Sequence, residues 1–229
     1  MSAPHAVLFD MDGLLVDTEP VWTLAEVELA ASLGGEFPTA LKTAIMGTRL
    51  DVAVPMILQW YGAPDGPDQV AATSTWLLAR MVQLFADEVS VLPGVQELLS
   101  ALRREGVPVA LVSSSYRVLV DAVLATGLGP FDLSVAGNEV LRGKPDPEPY
   151  LTAAARLGVD PARCVVLEDS PAGVASGEAA GCAVVAVSSV PGVVFGPTPR
   201  RLVVRSLREV DVAALQALVG VGAGVTTTT

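Results

Sequence analysis

The sequence is poor in basic residues: its 229 residues include 14 lysines and arginines against 25 aspartates and glutamates, a formal net charge of −11. Nucleic acids and anionic membrane surfaces are bound through basic patches, so this balance argues against either as the main partner. An acidic protein can still bind a small phosphorylated metabolite if the positive charge is local, at a metal ion, a lysine or a helix N-terminus.

Cysteine and long apolar runs are scarce as well. Cys164 and Cys182 are the only cysteines, and each lies in an apolar, strand-like run, which predicts buried free thiols rather than a disulfide. The longest stretch without a charged residue, 179–199, is interrupted by glycine, proline and serine, so it does not resemble a spanning helix. No secretory signal is visible at the N-terminus, and we expect a cytoplasmic protein.

Short apolar runs recur along the chain and predict a parallel sheet. Each is nearly continuous in apolar residues, as expected of strands that are covered on both faces. Between them lie helical stretches, several of which begin at proline or serine and end at glycine, and this alternation indicates an α/β fold with crossover helices. The runs are 6–9, 107–112, 133–136, 164–167 and 183–187.

One segment, from residue 20 to residue 87, breaks the alternation. It contains no convincing strand, and helical periodicity is found over 21–33, 52–61 and 70–85. We therefore expect a helical insertion, residues 17–88, that divides a core made of residues 1–16 and 89–229. The small and polar residues 220–229 predict a mobile tail.

Carboxylates and hydroxyls follow the first two predicted strands, where open parallel sheets bind their ligands. Asp10 and Asp12 repel each other, and a divalent cation would relieve that repulsion. An aspartate-rich turn without a metal is the alternative. Ser113, Ser114 and Ser115 could donate hydrogen bonds to phosphate oxygens, or one of them could simply cap the next helix.

Two further groups follow later in the chain. Lys144 stands between glycine and proline in a stiff loop, and it could neutralise a phosphate or an aspartate or be a solvated loop lysine. Glu168 and Asp169 end a buried run and need a cation or a cluster of donors, which the helix start at Ser170 could partly supply. Because all four groups fall at carboxyl ends of strands, one crevice would gather them. Together they suit phosphoryl transfer through an aspartyl phosphate.

These four motifs, in this order, resemble the haloacid dehalogenase-like (HAD) hydrolase superfamily over residues 7 to about 187. The resemblance implies a Rossmann-like core with a parallel sheet and an inserted helical cap domain, residues 17–88. The matching segments are 10–20, 112–115, 143–147 and 167–173.

The resemblance also implies the part that each residue plays. Asp10 is expected to be the nucleophile, and Asp12 the group that protonates the leaving oxygen and then activates water. Ser113, Ser114 and Lys144 are expected to bind the phosphate. Mg²⁺ is the implied cofactor, and the residues expected to bind it are Asp10, the backbone carbonyl of Asp12, Asp169 and the nearby Glu168.

Within the superfamily, the chain resembles the group that contains β-phosphoglucomutase and the sugar phosphatases. Residues 17–22 and 47–51 look closest to bacterial hexose-phosphate phosphatases of the 2-deoxyglucose-6-phosphatase type. The mutases have histidine where this chain has Trp22, and Lys-Asn where it has Tyr116-Arg117. Both differences favour a phosphatase that acts on a sugar phosphate. A phosphosugar mutase and a phosphoglycolate phosphatase are the alternatives.

Substrate selection is expected to reside in the helical insertion. Arg49 ranks first among the residues that could face the site, because a guanidinium can fork onto hydroxyls or phosphate. Each of these residues could equally belong to the core or the solvated surface. We expect a monomer, since the insertion could shield the site without a partner chain. The other residues that could face the site are Glu19, Trp22, Thr48 and Arg80.

Overall fold

The computed structural model describes residues 4–45, 48–188 and 194–220. Eight strands lie in this part of the chain: β1 (Ala6–Phe9), β2 (Val16–Asp17), β3 (Ser90–Val91), β4 (Val109–Val112), β5 (Leu133–Val135), β6 (Cys164–Glu168), β7 (Ala183–Val187) and β8 (Arg201–Val204). Its helices are α1 (Glu19–Ser32), α2 (Thr39–Ile45), α3 (Leu50–Trp60), α4 (Pro67–Glu88), α5 (Val95–Arg104), α6 (Arg117–Ala125), α7 (Glu148–Leu157), α8 (Pro171–Ala179) and α9 (Val212–Gly220).

Six of the strands form one parallel sheet in the order β5-β4-β1-β6-β7-β8. β1 is central, and its side chains are completely buried on both faces. Val7 and Phe9 belong to one apolar cluster, whereas Ala6 and Leu8 belong to another on the opposite face. The predicted α/β fold with a parallel sheet is confirmed. The central strands are apolar at nearly every position because both of their faces are buried.

The helices α1 to α4 lie between β2 and β3, a two-residue antiparallel ribbon that pairs Val16 with Val91 and Asp17 with Ser90. α1, α2 and α3 share a small apolar cluster, and α4 packs against α1 and α3 and against α6 of the core. The helical insertion is therefore present where the sequence predicts it. The boundary of a separate cap domain at residues 17 and 88 stays a prediction.

The structure differs from the sequence prediction in the bounds of two strands and in elements that the sequence does not predict. β4 begins at Val109 rather than at residue 107, since Pro108 has no N–H to donate to a ladder. β6 extends to Glu168, so this carboxylate belongs to the strand itself. The edge strand β8, the short helix α2 and the β2–β3 ribbon are not predicted from the sequence. Of the predicted mobile tail, 220–229, Gly220 is the last residue of α9 and the rest lies outside the described residues.

The helix ends and the thiols follow the sequence more closely. The Ser170 hydroxyl accepts a hydrogen bond from the Gly173 N–H (3.0 Å) and caps α8, as its position before proline suggests. Cys164 and Cys182 are buried free thiols, as predicted. Among the described helices, none is both long and apolar enough to cross a bilayer.

Candidate active site

The strand order brings the predicted site residues to one edge of the sheet. β1 lies between β4 and β6, so Asp10 stands between Ser113 on one side and Asp169 on the other. The Asp10 backbone N–H donates to the Leu167 carbonyl (3.0 Å), which continues the β1–β6 pairing into the site. The carboxyl ends of three neighbouring strands thus meet at a single crevice.

The loop after β1 depends on Gly13. Its φ of +80° lies in the left-handed region that favours glycine, and its N–H donates to the Val16 carbonyl at 2.9 Å. A Cβ at this position would lie 2.3 Å from Oδ2 of Asp169. A residue with a side chain would therefore strain the turn and push the Asp169 carboxylate away.

Lys144 lies inside this crevice and is not a solvated loop lysine. Its side chain is 4 % exposed, and its ammonium donates to Oδ1 of Asp10 (2.5 Å), Oε1 of Glu168 (2.6 Å) and the carbonyl of Val112 (2.9 Å). The loop that carries it is fixed from the α8 side, where the buried Ser176 hydroxyl donates to the Asp146 carbonyl at 2.6 Å.

Glu168 is the most enclosed carboxylate of the site, with no exposed surface. Its Oε1 accepts from Lys144 and from the Tyr150 hydroxyl (2.7 Å). Its Oε2 accepts from the backbone N–H groups of Asp169 and Ser170 and from the Ser170 hydroxyl, at 3.0 to 3.1 Å. Five donors therefore compensate the loss of hydration that burial of this charge entails.

The Asp169 carboxylate, unlike that of Glu168, has an oxygen without a hydrogen-bond donor in the described part of the chain. Its Oδ1 is buried and has no hydrogen-bond partner among the described residues. Asp10, Glu168 and Asp169 each offer one oxygen to a group of atoms that all lie within 4.8 Å of one another. Hard divalent cations prefer such clustered carboxylate oxygens, so these residues fit a divalent metal ion.

The crowding of negative charge shifts the pKa values of the site. Burial, followed by the charge of Glu168, raises the pKa of Asp10 well above its usual range, although Lys144 acts in the opposite direction. Burial and then Glu168 raise the pKa of Asp169 to about 7. For Lys144, burial favours the neutral form, but the charges of Asp10 and Glu168 outweigh it and raise its pKa.

The raised pKa of Asp169 predicts how the metal-free protein responds to pH. Between its ordinary value of 3.8 and about 7, the folded carboxyl keeps a proton that the unfolded one has lost. The free energy of unfolding should therefore fall as pH rises, by at most about 1.4 kcal/mol per pH unit for this group. Thermal unfolding in EDTA between about pH 5 and pH 8 measures this, and Asp169→Asn should flatten the slope. Stability that rises over that range would contradict the account.

Asp12 is held by hydroxyls rather than by cations. Its Oδ1 accepts from the buried Thr18 hydroxyl (2.8 Å), and its Oδ2 accepts from the hydroxyls of Ser113 (3.0 Å) and Ser115 (2.9 Å). The N-terminal cap of α6 is Tyr116, without a side-chain hydrogen bond, so the interpretation of these serines as a helix cap is wrong. They bind Asp12 instead.

Two predicted phosphate or substrate contacts lie at the rim. Ser114 is exposed, and its backbone carbonyl packs against Gly137, where a Cβ would come within 2.0 Å. Arg49 extends from the insertion towards the Lys144 loop, since a Cβ at Gly143 would lie 3.7 Å from Nη1 of Arg49. The Arg49 side chain is 46 % exposed, and its Nε donates to Oδ1 of Asp51 at 3.2 Å.

The remaining residues proposed for the insertion have contacts within it. Glu19 pairs with Lys42 at 2.7 Å, and Arg80 forks onto Glu28 at 2.5 and 2.7 Å. The Thr48 hydroxyl donates to a carbonyl at the end of α2 (2.7 Å). Trp22 is partly buried against the main apolar cluster. These contacts give each of the four residues a structural role.

The sequence assigns no part in the site to Thr18 or Tyr150, and it does not predict the contact of Ser115 with Asp12. Thr18 and Ser115 lie inside the matched segments 10–20 and 112–115, and that position is a usable signal. Tyr150 has no such signal, because an aromatic residue in the first turn of a helix is ordinarily core packing.

The whole arrangement resembles known hydrolases in sequence and in fold. The family model described as haloacid dehalogenase-like hydrolase matches residues 4–181. Hexitol phosphatase B of Escherichia coli is 36 % identical over 193 residues, which cover 79 % of this chain and 83 % of that protein. A phosphorylated carbohydrates phosphatase of Thermotoga maritima is 34 % identical over 179 residues, or 77 % of this chain and 82 % of that one.

A solved structure extends the similarity to the three-dimensional arrangement. CbbY of Rhodobacter sphaeroides, in complex with phosphate, superposes with a TM-score of 0.82 at 27 % identity, over 93 % of this chain and 99 % of that one. The chain therefore belongs to the haloacid dehalogenase-like hydrolase family, in the branch of these phosphatases, and it is a phosphoric monoester hydrolase.

Proposed function

We propose that the protein is a Mg²⁺-dependent phosphatase that hydrolyses a sugar or sugar-alcohol phosphate through an aspartyl-phosphate intermediate. The observation that carries the proposal is the buried Asp10 carboxylate, which is bound through one oxygen to Lys144 in a cluster that fits a divalent cation. A carboxylate nucleophile divides a difficult displacement at phosphorus into two easier ones.

In the first step Oδ2 of Asp10, the oxygen that Lys144 does not bind, attacks phosphorus while the bond to the ester oxygen breaks. Asp12 gives its proton to that ester oxygen, which leaves as the sugar hydroxyl. In the second step the Asp12 carboxylate takes a proton from water, whose oxygen attacks phosphorus, and the bond to Asp10 breaks to release inorganic phosphate. Thr18, Ser113 and Ser115 hold the Asp12 carboxylate at the crevice between these events.

The metal ion would be held by the carboxylates of Asp10 and Asp169 and by the Asp12 backbone carbonyl. The unpaired Oδ1 of Asp169 supports this assignment, because a buried carboxylate oxygen without a donor needs a cation. When bound, the ion supplies positive charge to the phosphate oxygens. Since both oxygens of Glu168 already accept hydrogen bonds, we propose that Glu168 stays beside the metal and orients Lys144.

The substrate class rests on the relatives and on the rim of the site. Hexitols and other carbohydrates carry hydroxyls that a guanidinium can bind, and Arg49 lies next to the loop that carries Lys144. Ser113, Ser114 and Lys144 would surround the phosphate. We further propose that residues 17–88 act as a cap over the crevice, that the protein acts as a monomer, and that it acts in the cytoplasm, where its free thiols stay reduced.

The phosphosugar mutase alternative has less support. The only histidine of the chain, His5, precedes β1. Its backbone N–H donates to the Arg163 carbonyl, at the end of the sheet opposite the site. Trp22, at the position where the mutases have their histidine, packs against the apolar cluster. No imidazole is thus available at the crevice to gate proton transfer.

Phosphate release tests the proposal directly. A panel of hexitol phosphates, glucose 6-phosphate, 2-deoxyglucose 6-phosphate, β-glucose 1-phosphate and phosphoglycolate is incubated with Mg²⁺ or with EDTA. We expect Mg²⁺-dependent release that is largest for the hexitol or hexose phosphates. Release that is unaffected by EDTA would contradict the metal assignment, and formation of glucose 6-phosphate from the 1-phosphate faster than free phosphate would favour the mutase.

A further inference from the structure

Tyr150 is a fully buried residue that touches two members of the site. It lies in the first turn of α7, six residues after Lys144, and has no exposed surface. Its hydroxyl donates to Oε1 of Glu168 at 2.7 Å. Its ring lies under the Lys144 ammonium, with Nζ 4.9 Å from the ring centroid, within the range of a cation–π interaction.

Contacts on both of its oxygens position the carboxylate that Tyr150 binds. A Cβ at Gly173 would lie 1.7 Å from Oε1 of Glu168, so the start of α8 is packed directly against this carboxylate. The three donors on Oε2 fix the other oxygen. Oε1 accepts from two donors, the Tyr150 hydroxyl and the Lys144 ammonium, so the hydroxyl helps to hold the Oε1 side of the carboxylate in place.

The direction of the Lys144 ammonium depends on that shared acceptor. An ammonium has three N–H donors, and here Asp10, Glu168 and the Val112 carbonyl accept all three. The Val112 carbonyl belongs to a strand and cannot follow a moving side chain. If Glu168 rotates, the ammonium therefore loses one of its three acceptors and its contact with Asp10 is no longer fixed.

We propose that Tyr150 is a positioning residue for phosphoryl transfer, which acts through Glu168 and its own ring to keep the Lys144 ammonium on Asp10. It does not touch the substrate. The inference rests on the proposed function, because it assigns to Lys144 the task of stabilising charge on the transferring group. Charge stabilisation of this kind is sensitive to small displacements of the donor.

Tyr150→Phe separates the hydroxyl from the ring, because phenylalanine keeps the packing and the contact under Lys144. We expect kcat to fall about tenfold while KM changes less than about twofold, since the lost constraint acts on the transition state more than on substrate binding. Tyr61→Phe is the matched control. Its hydroxyl also donates one hydrogen bond, to the Glu36 carbonyl at 2.6 Å, but within the helical insertion.

A double-mutant cycle tests the route of the effect. If Tyr150 acts through Glu168, adding Tyr150→Phe to Glu168→Gln should lower kcat by less than about twofold further. Losses that multiply in the double variant would overturn the proposal. So would a Tyr150→Phe variant that keeps kcat within about twofold of the wild type, whatever happens to its melting temperature.

Calorimetric binding of orthovanadate to the Mg²⁺-loaded protein gives a readout that needs no turnover. Orthovanadate adopts the five-coordinate geometry of the transferring phosphoryl group. Tyr150→Phe should weaken it about tenfold and weaken inorganic phosphate less than about twofold. Equal weakening of both ligands, or of neither, would overturn the proposal. A wild-type protein that releases no phosphate from any ester would count against the proposed function, while these binding ratios would still decide the part of Tyr150.

Discussion

Replacing Asp10 with asparagine is expected to lower phosphate release on the order of 10⁴-fold or more, because an amide cannot form the proposed aspartyl-phosphate intermediate. The same change should raise the stability of the metal-free protein. Burial and the charge of Glu168 disfavour the ionised Asp10, so a neutral side chain of the same shape removes an unfavourable charge. We therefore expect the free energy of unfolding in EDTA at neutral pH to rise.

Phosphate release and thermal unfolding in EDTA, measured on the same preparation, check both halves of this prediction. Asp121→Asn is a suitable control, because that carboxylate is 60 % exposed and lies on the outer face of α6. An active Asp10→Asn protein would refute the nucleophile assignment. An inactive one that melts below the wild type in EDTA would refute the electrostatic argument while leaving the assignment intact.

Lys144→Met should damage both activity and folding. The ammonium is almost completely buried between Asp10 and Glu168, and its removal leaves two enclosed carboxylates without a counter-charge. Breaking a buried ion pair by removing one partner costs about 3 to 5 kcal/mol. We expect a loss of that size in metal-free unfolding and a fall in kcat/KM on the order of 10³-fold, since the charge proposed to bind the phosphate is lost.

The only other lysine of the chain provides the control. Lys42 pairs with Glu26 and Glu19 at 2.7 Å inside the helical insertion. Lys42→Met should therefore reduce stability while leaving kcat within about twofold of the wild type. Adding Glu168→Gln to Lys144→Met should restore part of the lost stability and none of the activity. A double variant no more stable than Lys144→Met would show that charge imbalance is not the cause.

The sequence is sufficient to predict the sheet and its functional edge. Apolar runs that end in carboxylates, serines or a lysine are typical of strands that lead into a binding crevice, and the alternation with helices places those ends together. The order of the strands is not readable in this way. The central position of β1 follows from its pairing with both β4 and β6, which long-range packing decides.

The parts that the sequence does not reveal are contacts between distant segments. Ser115 reaches Asp12 across the β1–β4 pair, and Tyr150 reaches Glu168 because α7 packs on the sheet over β1, β4 and β5. For the candidate substrate-binding residues of the insertion, contacts between distant segments provide a structural role that the sequence does not indicate. Arg80 resembles a substrate-binding residue until the fold brings Glu28 to its guanidinium. Residue type and spacing along the chain do not contain this information.

The β2–β3 ribbon has a consequence for how proteins of this architecture diversify. The chain leaves the sheet and returns to it on two paired strands, which are about 5 Å apart in any sheet. A sequence of almost any length can be closed over so small a gap without displacing β1 or its carboxylates. The helices between these strands can therefore be lengthened, exchanged or redesigned while β1 and the carboxylates that follow it keep their positions.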